Sequence, residues 1–112
     1  RNALVGSSGF EDQLMAQFHV YRVAGDRLVL DLQTDLIETG TRVVAPLLPV
    51  ASGPRPIGRL EPIFKIEDAS FVLHTAEMTA IPSALLKGAP VANLSASDYE
   101  IRGALDMVFS GF

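Results

Sequence analysis

The side chains with catalytic potential are few, and their spacing is poor. The two histidines, His19 and His74, lie far apart in the chain, and neither has a second histidine at the short spacing of a metal site. Asp31, Asp35 and Glu38 cluster at the end of one predicted strand, and paired carboxylates perform general acid–base catalysis when one of them is buried. We expect these acids to lie on a solvated turn instead, and the histidines to be structural or surface residues.

Other classes of functional site find little support in the composition. The 112 residues include no cysteine, which excludes disulfides, thiolate metal sites and cysteine nucleophiles within them. Arg42, Arg55 and Arg59 are candidates to line a groove for RNA. However, the 13 acidic residues outnumber the 9 basic ones, and the net charge is −4. A nucleic-acid surface needs a basic face. The sequence therefore predicts no catalytic residue, no metal site and no cofactor.

The length and hydropathy indicate one globular domain. A chain of 112 residues with 48% hydrophobic content supports a single core. No apolar run approaches the roughly 20 residues that span a bilayer, and no secretory signal is visible. We therefore expect a protein of the cytoplasm that does not enter a membrane.

Residues 1–14 differ in character from the rest of the chain. Gly6-Ser7-Ser8-Gly9 is typical of a linker, and Met15 offers a natural start just before the first strand pattern. We predict that residues 1–14 are a leader, tag or linker peptide outside the fold and that the domain occupies residues 15–112. The alternative is a short peptide, Phe10–Leu14, that docks on the domain.

Alternating apolar residues predict a series of antiparallel strands. A turn at Gly25 joins the first two strands, and a turn at Glu67-Asp68 joins a later pair. Pro46 indicates an edge strand or a strand end. Pro49–Gly58, rich in proline and glycine, is expected to form an exposed loop. The predicted strands, five to six in all, lie near residues 18–23, 28–33, 41–47, 60–66, 70–76 and 81–86.

The C-terminal segment, residues 97–112, has the periodicity of an amphipathic helix that runs to the end of the chain. Ser97 followed by Glu100 fits a capping box at its start. Strands followed by one helix predict a mainly β fold, a curved sheet or small barrel with the helix packed on it. Phe109 and Phe112 at its end are either docked into the core or held out for a partner. The apolar face comprises Ile101, Ala104, Leu105, Val108 and Phe112.

Short motifs in a fixed order suggest a family. The chain contains Gln17-Phe18-x-Val20-Tyr21, then the run from Asp31 to Thr39, then Met78-x-x-Ile81-Pro82, and finally the helix with Phe109-x-Gly111. Together they resemble the CcdB family of toxins, and the resemblance covers nearly all of residues 15–112. Further segments in matching order are Pro46-Leu47, Leu60-x-Pro62 and Val91-Ala92-x-Leu94-Ser95.

The resemblance implies a fold and a function. It implies an SH3-like barrel that forms a homodimer in the bacterial cytoplasm and is the toxin of a type II toxin–antitoxin module, as in plasmid maintenance. Such toxins bind the A subunit of DNA gyrase, trap the cleaved DNA complex without an active site of their own, and are neutralised by a CcdA-like antitoxin. Neither direct nucleic-acid binding nor a membrane is implied.

The resemblance also implies binding residues. The family's gyrase-binding tripeptide, Trp-Gly-Ile, falls on Ser110, Gly111 and Phe112, so serine stands where the family has tryptophan. Because truncating an interface tryptophan costs at least about 2 kcal/mol, the change predicts a contact weaker by roughly thirtyfold. The antitoxin-binding positions are Leu36, Ile37, Asp106 and Phe109, and the dimer contact falls on Met107 and Val108.

Two alternatives remain open on the same barrel. One is an RNA-cleaving toxin with Arg42 and Arg59 in its groove, and the other is a homologue that binds antitoxin but no longer poisons gyrase because Ser110 replaces the tryptophan. Cleavage of single-stranded RNA would identify the first. Antitoxin binding without growth arrest would identify the second.

Overall fold

The computed structural model describes residues 16–86 and 88–112, which form an antiparallel sheet and one α-helix. The sheet is nearly closed and barrel-like, so the predicted fold class is confirmed, with seven described strands in place of five to six. The predicted leader, residues 1–14, lies outside the described residues. The elements are β1 (His19–Val23), β2 (Arg27–Asp31), β3 (Thr41–Pro49), β4 (Ile63–Ile66), β5 (Ala69–Leu73), β6 (Thr79–Pro82), β7 (Ala92–Asn93) and α1 (Asp98–Ser110).

Turn chemistry explains the two hairpins. Gly25, at φ 79°, turns the chain between β1 and β2, as predicted. Glu67 and Asp68 join β4 to β5 with φ of 51° and 66°. Two positive φ values in succession match the right-handed twist of a hairpin, although neither residue is the glycine or asparagine that adopts them at least cost. Both hairpins are therefore confirmed.

Strand β3 is the centre of the sheet, so the edge position predicted from Pro46 is wrong. The strand order is β4-β5-β3-β2-β1-β7, and β6 pairs with the first half of β3. Residues 41–44 pair with β6 and residues 47–49 pair with β5, with Pro46 between the two segments. The Pro46 carbonyl accepts a hydrogen bond of 2.9 Å from His74 N. In an antiparallel strand, the N–H and C=O of one residue point towards the same neighbouring strand. The N–H that Pro46 lacks would therefore have pointed to the place where β3 changes its partner from β6 to β5.

The sheet is buried on both faces around β2. One face carries the main core, to which the helix contributes Ile101, and the helix also buries Ala104. The opposite face carries a second cluster of Tyr21, Val29, Val44 and Leu86. Because of this second cluster, β2 does not alternate between buried and solvated positions. The main core comprises Phe18, Val20, Leu28, Leu30, Leu32, Ala45, Leu47, Phe64, Ile66, Leu73 and Ile101.

Both ends of α1 differ from prediction. Ser97 is the N-cap residue, but its side chain makes no capping hydrogen bond, so the capping box is not formed. A single 3-10 turn, Ser95–Ser97, leads into the helix instead. The helix stops at Ser110, because Gly111 adopts φ 81° and its N–H bonds to Met107 O at 3.1 Å. Phe112 therefore does not continue the buried helical face.

Candidate partner-binding surfaces

The end of the chain is exposed. The Phe109 and Phe112 side chains are 73% and 80% accessible, so neither ring is docked into the described core. Asp106, Ser110 and Gly111 are also exposed, whereas Met107 and Val108 are half-buried. Exposed aromatic rings are typical of a binding surface, since removing their apolar area from water lowers the free energy. We call Asp106 and residues 109–112 the C-terminal surface.

A second apolar surface lies on the loop between β2 and β3. Leu36 is 93% accessible and Ile37 is 53% accessible, so both side chains face solvent. Adjacent apolar residues at the end of a strand cannot both point into one core, and here neither is buried. We call residues 33–40 the β2–β3 loop.

A buried ion pair lies beneath this loop. Arg42 and Asp31 have side chains that are 3% and 0% accessible, and Arg42 Nη2 lies 2.9 Å from Asp31 Oδ2. Arg42 Nε donates to the same carboxylate, at 3.0 Å to Oδ2 and 3.2 Å to Oδ1. The expectation that Asp31 lies on a solvated turn is therefore wrong, because the second hydrophobic cluster covers this face of β2. Asp35 and Glu38 are exposed, as predicted.

Sequence reasoning missed this pair, although the pattern contains a signal for it. Asp31 lies opposite Val44 in the β2–β3 register, and Arg42 is two residues from Val44 on the same face. Opposite charges at such a diagonal position are within reach of a long side chain. The signal becomes visible only when the register is known.

Burial and pairing shift the pKa values of both Asp31 and Arg42. Burial raises the pKa of Asp31, while hydrogen bonding and coulombic attraction from Arg42 and the Gln33 amide oppose the rise. Burial opposes the charge on Arg42, but its bonds to Asp31 and Asp35 outweigh that effect and raise its pKa. Arg42 is therefore a fixed cation committed to internal partners.

The three arginines predicted as candidates for an RNA groove do not form one surface. Arg42 is buried, while Arg59 is exposed and its Nη2 lies 3.4 Å from Gly103 O on the helix. Arg55 is exposed in the proline-rich loop. A concavity of about 320 Å³ lies beside the helix and does not include Arg42. Its lining residues are Arg59, Pro62, Tyr99, Glu100, Arg102, Gly103 and Asp106.

The histidines occupy separate environments. His74 is buried, with Nδ1 3.3 Å from Glu61 Oε2 and with no hydrogen-bond partner for Nε2. His19 is half-buried in β1. Among residues 16–86 and 88–112, no group of three or more histidine, cysteine or acidic side chains is arranged to hold a metal ion. In the same part of the chain, no helix has the length and hydropathy to cross a membrane.

A small barrel with a C-terminal helix is the architecture that the motifs predict. The CcdB protein family matches residues 17–111, which is most of the chain. The chain therefore belongs to the CcdB family, whose members are toxins of toxin–antitoxin systems. No curated protein matches the chain at a significant level.

A solved structure shares the fold. It is an endoribonuclease in complex with its cognate antitoxin from a mycobacterial species, and it aligns with a TM-score of 0.68. The alignment covers 85% of this chain and 94% of that chain, with 16% sequence identity. Similarity at this identity shows a common fold and does not extend to the activity.

Proposed function

We propose that this protein is a toxin that acts by binding, with the C-terminal surface as its contact to the A subunit of DNA gyrase. The observation that carries the proposal is the exposure of Phe109 and Phe112 on either side of Gly111. Gly111 redirects the chain out of the helix, which leaves Phe112 free to enter a partner. Aromatic rings supply much of the free energy of protein interfaces because each buries a large apolar area.

Neutralisation by a CcdA-like antitoxin is the second part of the proposal. The β2–β3 loop offers Leu36 and Ile37, and the exposed face of α1 offers Asp106 and Phe109, which are the positions implied by the family resemblance. Support comes from exposed aliphatic side chains that have no role in the fold. The protein with the shared fold is likewise bound to its cognate antitoxin.

A homodimer through Met107 and Val108 completes the proposal. Both residues are half-buried near the end of α1, so a second copy can cover the remaining exposed area. A two-fold axis there would bring two C-terminal surfaces side by side. Sedimentation of the wild type against Val108→Asp tests this arrangement, since a charge at an isologous contact is repeated across the axis. A monomeric wild type would contradict it.

The experiment for the target is a cleavage-complex assay with purified gyrase. We expect the wild type to trap cleaved DNA, Phe112→Ala to require at least about tenfold more protein, and Ser110→Trp to require less. Ile63→Ala is the control, because Ile63 is another exposed apolar residue, at 51% accessibility, and lies outside both surfaces. Absence of trapped DNA for both wild type and Ser110→Trp would overturn gyrase as the target.

RNA cleavage is the second candidate function. The endoribonuclease with the shared fold favours it, as do Arg59 and Arg102 around the concavity beside α1. Arg102 is already paired with Asp98, so Arg59 is the better probe. Single-stranded RNA is incubated with the wild type and with Arg59→Ala. Cleavage by the wild type that is lost in the variant would establish this function, and intact RNA with both would exclude it.

A further inference from the structure

Side-chain hydrogen bonds hold most of the β2–β3 loop, and Ser83 N adds one backbone bond of 3.0 Å to Gly40 O at its end. It leaves the sheet after Asp31 and returns at Thr41, and it carries the two apolar side chains of the proposed antitoxin surface. A surface loop that carries apolar side chains ordinarily buries them or samples many conformations. Here, internal hydrogen bonds fix the backbone that presents Leu36 and Ile37.

Gln33 connects the exposed part of the loop to β3. Its Oε1 accepts a hydrogen bond of 3.1 Å from Val43 N, and its Nε2 donates one of 2.8 Å to Ile37 O. The amide side chain therefore bridges a central strand and the residue that carries the apolar contact. Neither a purely accepting nor a purely donating side chain can make both bonds.

Arg42 holds the first part of the loop from below. Its Nη2 donates to Gln33 O at 3.0 Å and to Asp35 Oδ1 at 3.2 Å. Asp35 Oδ1 also accepts a bond of 2.9 Å from Gln17 N, which ties the loop to the segment before β1. Since Asp31 fixes the guanidinium, these contacts transmit the rigidity of the sheet to the loop.

We propose that Gln33, whose backbone is bonded to Arg42, is a positioning residue that holds Leu36 and Ile37 in the conformation bound by the antitoxin. This inference rests on the proposed antitoxin surface. Ordering a loop during association consumes binding free energy, so a loop that is ordered beforehand binds more tightly. The network serves partner affinity, whereas the buried part of the Asp31–Arg42 pair serves the fold.

Gln33→Glu separates the two roles. A glutamate keeps the acceptor for Val43 N but cannot donate to Ile37 O, so only the connection to the loop is lost. We expect binding to the CcdA-like antitoxin encoded in the same gene pair to weaken by about tenfold. Amide hydrogen exchange at residues 34–40 should accelerate, while the urea midpoint stays unchanged. The loss should persist in about 1 M salt, where the added charge is screened beyond about 3 Å.

Outcomes for Gln33→Glu decide the inference by themselves. Unchanged exchange at residues 34–40, or antitoxin affinity within twofold of wild type, would overturn the positioning role. A fall in the urea midpoint with exchange accelerated throughout the chain would assign Gln33 to the fold alone and overturn it equally.

Ile37→Ala and Ile63→Ala test the underlying surface separately. The two isoleucines are matched, at 53% and 51% accessibility, and only Ile37 lies on the loop. We expect Ile37→Ala alone to weaken antitoxin binding. Equal affinities for the two variants would show that the loop is not the antitoxin surface. The positioning of the loop would then still be decided by hydrogen exchange in Gln33→Glu.

Discussion

Arg42 and Asp31 form a bidentate ion pair in which both side chains are almost completely removed from water. Removing one member leaves the other as an uncompensated buried charge, which is far more costly than the loss of an exposed pair. We expect Arg42→Ala to lower the free energy of unfolding by about 3–5 kcal/mol. Urea denaturation followed by circular dichroism measures the change.

Arg59→Ala is the control for that prediction. Arg59 is exposed, so its removal should change stability by less than about 0.5 kcal/mol. The double change Asp31→Leu with Arg42→Met should recover much of the loss, because apolar residues of similar volume replace both charges. Equal stability of Arg42→Ala and Arg59→Ala would contradict the buried pair. For the same reason, Arg42→Ala is unsuitable as a probe of RNA cleavage.

The pKa of Asp31 predicts an unusual dependence of stability on pH. Burial raises this pKa above its ordinary value of 3.8, so the folded protein binds a proton at Asp31 more readily than the unfolded chain does. Through this group, the free energy of unfolding therefore rises as pH falls from the raised pKa towards 3.8. Asp31→Asn does not titrate, so it should become less stable relative to wild type on acidification.

Urea midpoints of wild type and Asp31→Asn at about pH 7 and about pH 4 measure this difference. If the difference between the midpoints of wild type and Asp31→Asn became smaller in acid, attraction to Arg42 would exceed the cost of burial. The pKa of Asp31 would then be lowered. A ¹³C titration of the Asp31 carboxyl group gives the same answer independently.

Gly103 lies in the middle of α1, where a glycine is unfavourable. A Cβ there would lie 3.6 Å from Arg59 Nη2, which is ordinary van der Waals contact. Because alanine is favoured over glycine in a helix interior by about 0.8–1 kcal/mol, Gly103→Ala should raise the thermal midpoint by a few degrees. Calorimetry checks the prediction, and a lowered midpoint would show that Arg59 cannot give way.

At Gly111, unlike Gly103, glycine is the favoured residue, because its φ of 81° lies in the left-handed region. No atom lies within 4 Å of a Cβ at this position, so the penalty for alanine comes from the backbone alone. That penalty is about 1–2 kcal/mol. We expect Gly111→Ala to relieve this penalty by leaving the left-handed conformation, which redirects Phe112 and weakens gyrase trapping with little change in the urea midpoint. Gyrase trapping equal to that of wild type would show that the turn is not needed.

The parts of the fold that follow from local chemistry were predictable from the sequence. Gly25 and the Glu67-Asp68 pair mark both hairpins, since turn residues act over only a few positions. The spacing of Ile101 and Ala104 marks the buried face of α1. These features depend on neighbours in the chain, which the sequence displays directly.

Several of the errors share one physical origin, which is dependence on residues that lie elsewhere in the chain. Pro46 fits a central strand only because β3 changes partners at that point. Asp31 is buried only because a second cluster covers the outer face of β2. Gln33 acts through Val43 and Ile37, and nothing in its immediate neighbours indicates either bond. Folding brings these groups together, so the positioning network could not be derived from local patterns.

The change of partners along β3 also determines how the molecule assembles. The β1–β2 and β4–β5 hairpins are local and can form within microseconds. Strand β3 instead pairs with β2, β5 and β6. Its pairing with β6 requires the closure of a long loop of intervening chain. Such closures lose much chain entropy before contacts compensate for it, so they slow folding. We therefore expect the toxin to fold at the rate at which β3 docks, and newly made chains to remain harmless until that step.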